Sequence, residues 1–297
     1  MSAPNILFED ADILVIDKPA GFVTNRADTT INQPTVQEWA EEKLGIRKAF
    51  NGDEARPVPQ WYRARIDNRL RETLPKNETG IVTHDRISEF LKRGGVVHRL
   101  DKETSGVLII AKNEESFINL QKQFKEGRVE KTYIALCHGE IKPSTGEINI
   151  PIGRLPWNRM RFGVLPQGRE ARSKYKVSSP ADSFRSGSRT NEICRDIKYY
   201  VSGKEREPLS LVEVYPETGR THQIRVHMQY IGHPIFADEL YAGRKISKRD
   251  RKLLPRHFLH ASKISFTHPK TGKTVEFESP LPSDLKEFLN ALKSVQQ

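Results

Sequence analysis

The amino-acid sequence predicts a mixed α/β fold of the α+β class, in which helices accompany a largely antiparallel sheet. Short apolar runs separated by turn residues recur along the chain, as is typical of strand pairs. Amphipathic segments with helical spacing lie between these runs, and the dominance of strand pairs favours antiparallel pairing. Hydrophobic residues make up 36% of the 297 residues, enough for a real core, so we expect a single domain over residues 1–297.

The strands are predicted from apolar runs and from alternation. The first two strands are expected to form a hairpin with its turn at residues 10–12, and the second of them ends at Lys18-Pro19. The last two form a hairpin around residues 268–272, where a His-Pro-Lys-Thr-Gly sequence marks the turn. Strands are expected over residues 6–9, 13–17, 96–97, 107–111, 132–137, 147–152, 209–214, 263–266 and 273–277.

The helices are predicted from capping residues and from apolar residues spaced three and four apart. Asn113 is a good N-cap, and so is Thr221, whose helix would stop at Gly232. Long polar segments between the predicted elements, at about 46–92 and 178–208, are expected to be insertions with little regular structure. Helices are expected over residues 35–44, 86–92, 113–125, 221–231 and 282–293.

The net charge of +11 is concentrated in two segments. Residues 154–174 hold six basic residues and one acidic residue, and residues 243–263 hold eight basic residues and one acidic residue. Concentrated positive charge indicates a polyanionic partner, of which nucleic acid is the most common. Trp157 lies within the first segment and could stack on a base, although packing in the core or in a loop is expected for Trp39, Trp61 and Trp157 alike.

The remaining composition favours a reducing intracellular compartment. No apolar run approaches the ~18 residues of a membrane span. The first residues lack the basic and apolar regions of a secretory signal. Cys137 and Cys194 lie far apart and form neither a metal motif nor a disulfide framework. We therefore expect a cytoplasmic protein that does not interact with membranes and holds no metal.

The segment His98-Arg99-Leu100-Asp101 is the strongest indication of chemistry. It is followed by Lys102 and Glu103 and then by a Thr-Ser-Gly turn, with apolar residues on both sides. Asp101 is thus expected on a polar loop between two buried strands, where catalytic groups are often placed.

A second segment, Gly219 to Met228, is consistent with either an anion site or an ordinary amphipathic helix with solvated polar residues. A helix that begins here would place a partial positive charge beside Arg220, an arrangement that suits a carboxylate or a phosphate. Arg225 lies off the apolar stripe and near His222. His222 and His227 are five residues apart and face different directions, which argues against a metal pair.

Together these segments resemble the RluA-type pseudouridine synthases. The motifs of that family occur in the right order across most of residues 5–285. Residues 18–21 resemble the N-terminal motif of the family, residues 98–106 its catalytic motif and residues 131–135 its tyrosine motif. Residues 219–238 resemble its arginine motif, and residues 259–261 resemble its late leucine motif.

The resemblance implies a pseudouridine synthase fold with a central catalytic cleft crossing the sheet, and isomerisation of uridine to pseudouridine within RNA without a cofactor. It implies that Asp101 is the essential carboxylate, with Arg225 as its cationic partner. It also implies that Tyr133 stacks on the target base and that Leu259 closes the other side of the pocket. Three basic residues are expected to contact RNA. Arg99 would fill the gap that the flipped nucleotide leaves, and Lys102 and Arg220 would contact phosphates.

Two mechanisms remain open for Asp101. It can attack C1′ of the ribose as a nucleophile. Alternatively, it can take the C2′ proton and give a glycal intermediate. Both require an ionised acid, whereas burial alone would raise the pKa of Asp101, so a nearby guanidinium is expected and Arg225 is the candidate.

Two other functions compete with this one. A His-Arg-Asp sequence marks the catalytic loop of protein kinases, but Leu100 intervenes and no Asp-Phe-Gly follows, which excludes that interpretation. A non-catalytic RNA-binding or chaperone protein on the same fold is the alternative. Asp101, Tyr133 and Arg225 together argue against it.

The RNA itself is expected to be ribosomal or transfer RNA. The first motif begins almost at residue 5, so an N-terminal S4 domain is not expected. We expect a monomer, with the insertions and the basic segment at 243–263 selecting the RNA.

Overall fold

The computed structural model describes residues 3–26, 33–45, 89–179 and 208–294. The two predicted insertions and Trp61 lie almost entirely outside these ranges. None of the helices within them has the length and the apolarity needed to cross a membrane.

Nine of the described strands form one sheet in the order β1-β2-β3-β10-β4-β9-β8-β5, with β11 paired to β10, and β6 and β7 form a separate hairpin. The strands are β1 (Asn5–Glu9), β2 (Ile13–Lys18), β3 (Ser105–Ala111), β4 (Glu130–His138), β5 (Thr145–Asn149), β6 (Ile152–Leu155), β7 (Asn158–Val164), β8 (Arg172–Ser179), β9 (Leu209–Pro216), β10 (Leu259–Thr267) and β11 (Thr274–Glu278). The helices are α1 (Val36–Lys43), α2 (Glu89–Lys92), α3 (Glu114–Lys125), α4 (Gln223–Tyr230), α5 (Arg244–Asp250) and α6 (Ser283–Ser294).

The sheet confirms the predicted α+β class with mixed, mostly antiparallel pairing. Among the described strands, β3 and β10 pair in parallel, whereas the other neighbours run antiparallel. The parallel pairing joins Gly106 to Ala261, directly after the Asp101 loop. Gly106 has a φ of 118°, and a Cβ atom there would lie 2.1 Å from the carbonyl oxygen of Ala261. Glycine is therefore required where β10 meets this loop.

Two helix starts were predicted correctly. The side chain of Thr35 accepts from the amide of Glu38 at 3.0 Å at the start of α1. The side chain of Asn113 accepts from the amide of Ser116 at 2.9 Å at the start of α3.

The predicted N-cap of α4 is wrong. The helix begins at Gln223, and His222 holds the cap position in a left-handed conformation without a side-chain capping bond. The preceding turn is instead closed by the side chain of Gln223, whose Oε1 accepts from the amide of Arg220 at 2.9 Å and from Oγ1 of Thr218 at 2.7 Å. Thr221 is therefore one residue outside the cap.

Two strand predictions also need correction. Val96 makes a single bridge with Ile110 rather than a strand, because the chain turns at Gly94 and Gly95 with positive φ. The strand predicted over 147–152 ends at Asn149, and a new one begins after Pro151, which lacks an amide hydrogen. Strands β6 to β8 and helix α5 were not predicted at all.

Trp39 packs into the protein as predicted, whereas Trp157 does not. Trp39 is half-buried and packs against the core beneath β2 and β3. Trp157 lies at the β6–β7 turn with 77% of its surface exposed, and Met160 nearby is 72% exposed. The expectation that Trp157 packs into the protein is wrong, because a two-stranded hairpin offers it no apolar neighbour layer.

Candidate active site

The loop that carries Asp101 is held by hydrogen bonds from the N-terminal part of the chain. The hydroxyl of Thr24 donates to the carbonyl of Leu100 at 2.6 Å and accepts from its amide at 3.1 Å. The amide of Gly21 donates to the carbonyl of Lys102 at 2.7 Å. Backbone groups on both sides of Asp101 are thus fixed to residues 21–24.

The side chain of Lys18 reinforces this attachment. It is fully buried, and its Nζ donates to the carbonyls of Pro19 at 3.0 Å, Phe22 at 2.9 Å and Lys102 at 3.3 Å. Burial lowers the pKa of Lys18 to about 7. Lys18 is therefore not a surface cation; its ammonium group links residues 19–22 to the loop by hydrogen bonds within the protein.

A second set of contacts holds the loop on its C-terminal side. Glu103 accepts from Nη2 of Arg251 at 2.6 Å and lies 3.3 Å from Nδ1 of His257. The other ring nitrogen of His257 lies 2.9 Å from the hydroxyl of Thr104. Burial would raise the pKa of Glu103, but His257 and Arg251 lower it to about 2, so this anchor remains charged.

Arg225 connects two aspartates at the centre of the site. Its Nη1 donates to Oδ2 of Asp101 at 3.1 Å. Its Nε and Nη2 donate to the two carboxylate oxygens of Asp238 at 2.7 Å and 2.9 Å. Asp238 is fully buried, and its Oδ1 also accepts from the amides of Leu240 and Tyr241 at 3.0 Å and 3.1 Å. Asp238 therefore fixes the guanidinium, which leaves one edge for Asp101.

The surrounding charges keep Asp101 ionised. Its side chain is 16% exposed, and burial by itself would raise its pKa. Interactions with His222, Arg225 and His257 outweigh burial and lower the pKa of Asp101 to about 2. Burial lowers the pKa of His222 to about 4, so that ring is neutral at neutral pH and Arg225 provides the permanent positive charge.

We expect the pair of Asp101 and Arg225 to make stability sensitive to acid in a defined range. Because the folded pKa of Asp101 is about 2 and its ordinary value is 3.8, the pair's contribution is complete above about pH 5 and is lost as pH falls from there through about 2. The difference in free energy of unfolding between wild type and Asp101→Asn, measured with urea, should be constant from about pH 7 to about pH 5. It should then shrink towards about pH 2; a difference that stays constant over that range would contradict the shift.

Tyr133 lies beside this charge cluster on β4. Its side chain is half-buried, and burial together with the negative charge of Asp101 raises its pKa, so the phenol stays protonated. Leu259 pairs with Ala135 across β10 and β4 and belongs to the same apolar cluster as Tyr133. Asp101, Arg225, Tyr133 and Leu259 are therefore brought together from four separate segments, as the sequence predicted.

The predicted RNA contacts are placed differently from one another. Arg99 and Lys102 are exposed on either side of Asp101. Arg220 is half-buried, and its Nε donates to the carbonyl of Glu170 at 2.9 Å. Part of its hydrogen-bonding capacity is thus used within the protein.

The family model of RNA pseudouridylate synthases matches residues 12–230, more than half of the chain. The chain belongs to this family. The resemblance predicted from the motifs is confirmed.

Two relatives show how far the likeness extends. The protein named uncharacterized RNA pseudouridine synthase of Chloroflexus aurantiacus is 39% identical over 201 residues, covering 68% of this chain and 54% of that protein. Ribosomal large subunit pseudouridine synthase D of Nitrosomonas europaea is 32% identical over 294 residues, covering 98% of this chain and 65% of that protein. The chain thus spans less than two thirds of the length of either relative.

The fold agrees with that of a solved pseudouridylate synthase. The structure of human RNA pseudouridylate synthase domain containing 1 matches with a TM-score of 0.56 and 23% identity, covering 98% of this chain and 95% of that chain. At this identity the likeness shows the fold alone, which is the pseudouridine synthase fold expected from the sequence.

Three residues of this synthase-family site were not predicted as site residues. Asp238 was noted within the arginine motif only. Its position directly after the apolar residues 235–237 could have indicated that it is buried. His222 also lies within the arginine motif and was expected near Arg225, but as a residue that orders the loop by hydrogen bonding. Tyr241 carried no comparable sign, because its contacts depend on tertiary structure. Within the described ranges, no group of three or more His, Cys, Asp or Glu side chains could hold a metal ion.

Proposed function

We propose that the protein is an RNA pseudouridine synthase in which Asp101 is the essential catalytic group. The observation that carries this proposal is the arrangement of Asp101, Arg225 and Asp238. A partly buried carboxylate held ionised by a guanidinium that a second carboxylate fixes in place is prepared to act on an electrophilic carbon or a C–H bond. Family membership makes the ribose of a uridine the substrate to consider.

The reaction requires one bond exchange at C1′. The N1–C1′ bond breaks, the uracil turns, and C5 bonds to C1′; C5 then loses its proton and N1 gains one. Asp101 can begin the exchange as a nucleophile at C1′ or as a base at C2′, and both routes use its ionised form. The protonated phenol of Tyr133 can stack on the uracil and assist the later proton transfer.

The neighbouring residues suit a nucleotide that has left its helix. Leu259 lies in the apolar cluster that Tyr133 joins, so the two side chains can hold a uracil between them. Arg99 is exposed two residues before Asp101 and can fill the gap left in the RNA. Lys102 and Arg220 are proposed to contact phosphates. We propose that one copy of the chain, folded as a single domain, binds RNA in this way.

Large-subunit ribosomal RNA is the first substrate to test, because the relative from Nitrosomonas europaea is named for it. Transfer RNA is the second. The purified protein would be incubated with unmodified transcripts of each, and pseudouridines would be mapped at single-nucleotide resolution. We expect a small number of uridines to be converted. RNA that is bound but unconverted would contradict the proposal and favour an RNA-binding or chaperone function.

Salt should weaken RNA binding strongly if the basic segment at 243–263 contacts phosphates. Lys245, Lys248 and Lys252 are exposed there, whereas Arg251 and Arg256 are paired with Glu103 and Asp284. Replacing the three lysines by glutamine should reduce the slope of log K against log salt by roughly 2 to 3, since each phosphate contact contributes roughly 0.7 to 0.9.

The matched control replaces Lys122 and Lys125 of α3, which lie outside both basic segments. This variant should keep the wild-type slope. Equal slopes for all three proteins, measured by filter binding over a series of salt concentrations, would contradict contact at 243–263.

Trp157 is expected to stack on an RNA base. It is exposed at the turn of the β6–β7 hairpin, and this hairpin reaches the site because the amide of Phe162 donates to the hydroxyl of Tyr241 at 3.0 Å. Trp157→Ala should weaken RNA binding by about 1–3 kcal/mol, and Trp157→Phe should recover much of the loss. Tyr230→Ala removes another exposed aromatic ring, 57% exposed, and serves as the control. Unchanged affinity of Trp157→Ala, measured by fluorescence anisotropy, would contradict stacking.

A further inference from the structure

The backbone of His222 has an unusual conformation beside Asp101. Its φ of 57° lies in the left-handed region, which residues other than glycine rarely adopt and which costs free energy. His222 occupies the cap position of α4, yet its side chain makes no capping hydrogen bond. The conformation therefore does not serve the helix and instead directs the ring into the site.

The two ring nitrogens of His222 have different surroundings. Its Nδ1 lies 2.9 Å from the hydroxyl of Tyr241, and that hydroxyl accepts from the amide of Phe162 at 3.0 Å. Its Nε2 lies 4.0 Å from Oδ2 of Asp101, beyond hydrogen-bond distance. The hydroxyl of Tyr241 accepts from Phe162 and can donate its own proton to Nδ1, an arrangement that favours the ring proton on Nε2.

The charges around the ring favour the same tautomer. Besides Tyr241, four titratable or charged groups act on the ring: Asp101, Arg225, Asp238 and His257. Oδ2 of Asp101 lies on the side of Nε2. Burial lowers the pKa of His222 to about 4, so the ring carries one proton at neutral pH. The edges of Phe162 and Tyr241 hold the ring with centroid distances of 5.4 Å and 5.7 Å.

A neutral donor at this position can reach one particular atom of the substrate. Whether Asp101 attacks C1′ or takes the C2′ proton, its carboxylate must lie against that side of the ribose. The 2′-oxygen is bonded to C2′ and lies next to C1′. The separation of 4.0 Å between Nε2 and Oδ2 allows one oxygen atom to lie within hydrogen-bond distance of both.

We propose that the Nε2–H of His222 donates a hydrogen bond to the 2′-oxygen of the target nucleotide, and that Tyr241 is a positioning residue that sets the tautomer. This inference rests on the proposed function and adds a residue that selects ribose at the target position. The 2′-hydroxyl is the group by which a protein distinguishes RNA from DNA at a given nucleotide.

The tautomer can be tested without substrate. In protein labelled with ¹⁵N-histidine, the His222 resonances are assigned by their loss in His222→Gln. In wild type, Nε2 should carry the proton and Nδ1 should be an acceptor. In Tyr241→Phe, which lacks the hydroxyl, the population with a protonated Nδ1 should rise. A wild-type ring protonated at Nδ1 would overturn the inference.

The ribose contact can be tested with two versions of one RNA. The probe is the transcript segment whose uridine the protein converts, made with ribose or with 2′-deoxyribose at that uridine alone. All proteins carry Asp101→Asn so that the probe is bound but not converted, and the protein with His222 intact should bind the ribose form roughly tenfold more tightly, the effect of about one hydrogen bond. His222→Gln keeps a side-chain N–H of similar reach and should retain most of this ratio, whereas His222→Leu should reduce it to about one.

The outcomes separate this inference from the proposed function. Both variants keep a non-glycine residue at the strained position, and thermal unfolding shows whether each is folded. If wild type converts uridines but His222→Leu keeps the ratio, the ribose contact is wrong and the proposed function stands. If wild type converts no uridine in any RNA, the proposed function fails and the ribose contact fails with it.

Discussion

Replacing Asp101 by asparagine is expected to abolish pseudouridine formation while leaving the fold and RNA affinity nearly unchanged. Asparagine has the same shape but is neither a nucleophile nor a base. Arg225 remains paired with Asp238 at 2.7 Å and 2.9 Å, so the substitution does not leave a buried guanidinium without a partner. The single-turnover rate should fall on the order of 10⁴-fold, the upper range for a positioned catalytic group.

Asp101→Glu is the matched control, because it keeps the charge and moves the carboxylate by one methylene. It should also lose most activity, since the loop fixed by Gly21 and Thr24 cannot retract to compensate. Rates are compared at saturating protein, with affinity measured separately. An asparagine variant within tenfold of the wild-type rate would rule out Asp101 as the essential group.

Asp238→Asn is the second substitution from which we expect a large effect, this time on both stability and rate. Asp238 is fully buried and neutralises Arg225, so the neutral amide would leave the guanidinium with one partner and place an N–H group against it. Removing one member of a buried ion pair costs about 3–5 kcal/mol. The released guanidinium would also no longer be aligned with Asp101, and the rate should fall beyond what unfolding explains.

Asp250→Asn separates the two effects. Asp250 is also fully buried: its Oδ2 lies 2.8 Å from Nε2 of His138 and accepts from the amide of Ala237 at 3.1 Å, a bond that the oxygen of asparagine can keep. Its substitution should lower the free energy of unfolding and leave the rate per folded molecule unchanged. Urea unfolding gives the stability of each variant, and single-turnover rates below the unfolding transition give the activity. If both variants lose only stability, Asp238 has no part in aligning Arg225.

The sequence was most informative where local pattern and long motifs coincide. The apolar run after Ser105 and the Asn113 cap predicted β3 and α3, because a continuous apolar run and a capping residue are local properties. The long motifs placed Asp101, Tyr133 and Arg225 in one site, and the expected contact of Arg225 with Asp101 is present at 3.1 Å. Their catalytic roles remain predictions.

Other features depend on tertiary structure and left no readable pattern. Strand β8 alternates in burial, but the buried Ser173 is polar and hides the alternation in the sequence. The left-handed backbone of His222 is stabilised by contacts with Tyr241 and Phe162, which are distant along the chain. The bidentate hold of Asp238 on Arg225 likewise depends on the pairing of Ile235 and Phe236 with β4.

The central proposal is that the carboxylate of Asp101 isomerises uridines in RNA. The most direct measurement compares pseudouridine maps of ribosomal and transfer RNA from cells lacking the gene, complemented with wild type or with Asp101→Ala at equal protein levels. We predict that specific pseudouridines disappear without the gene, return with wild type and stay absent with Asp101→Ala. Maps that are identical in all strains, or sites restored by the alanine variant, would contradict it.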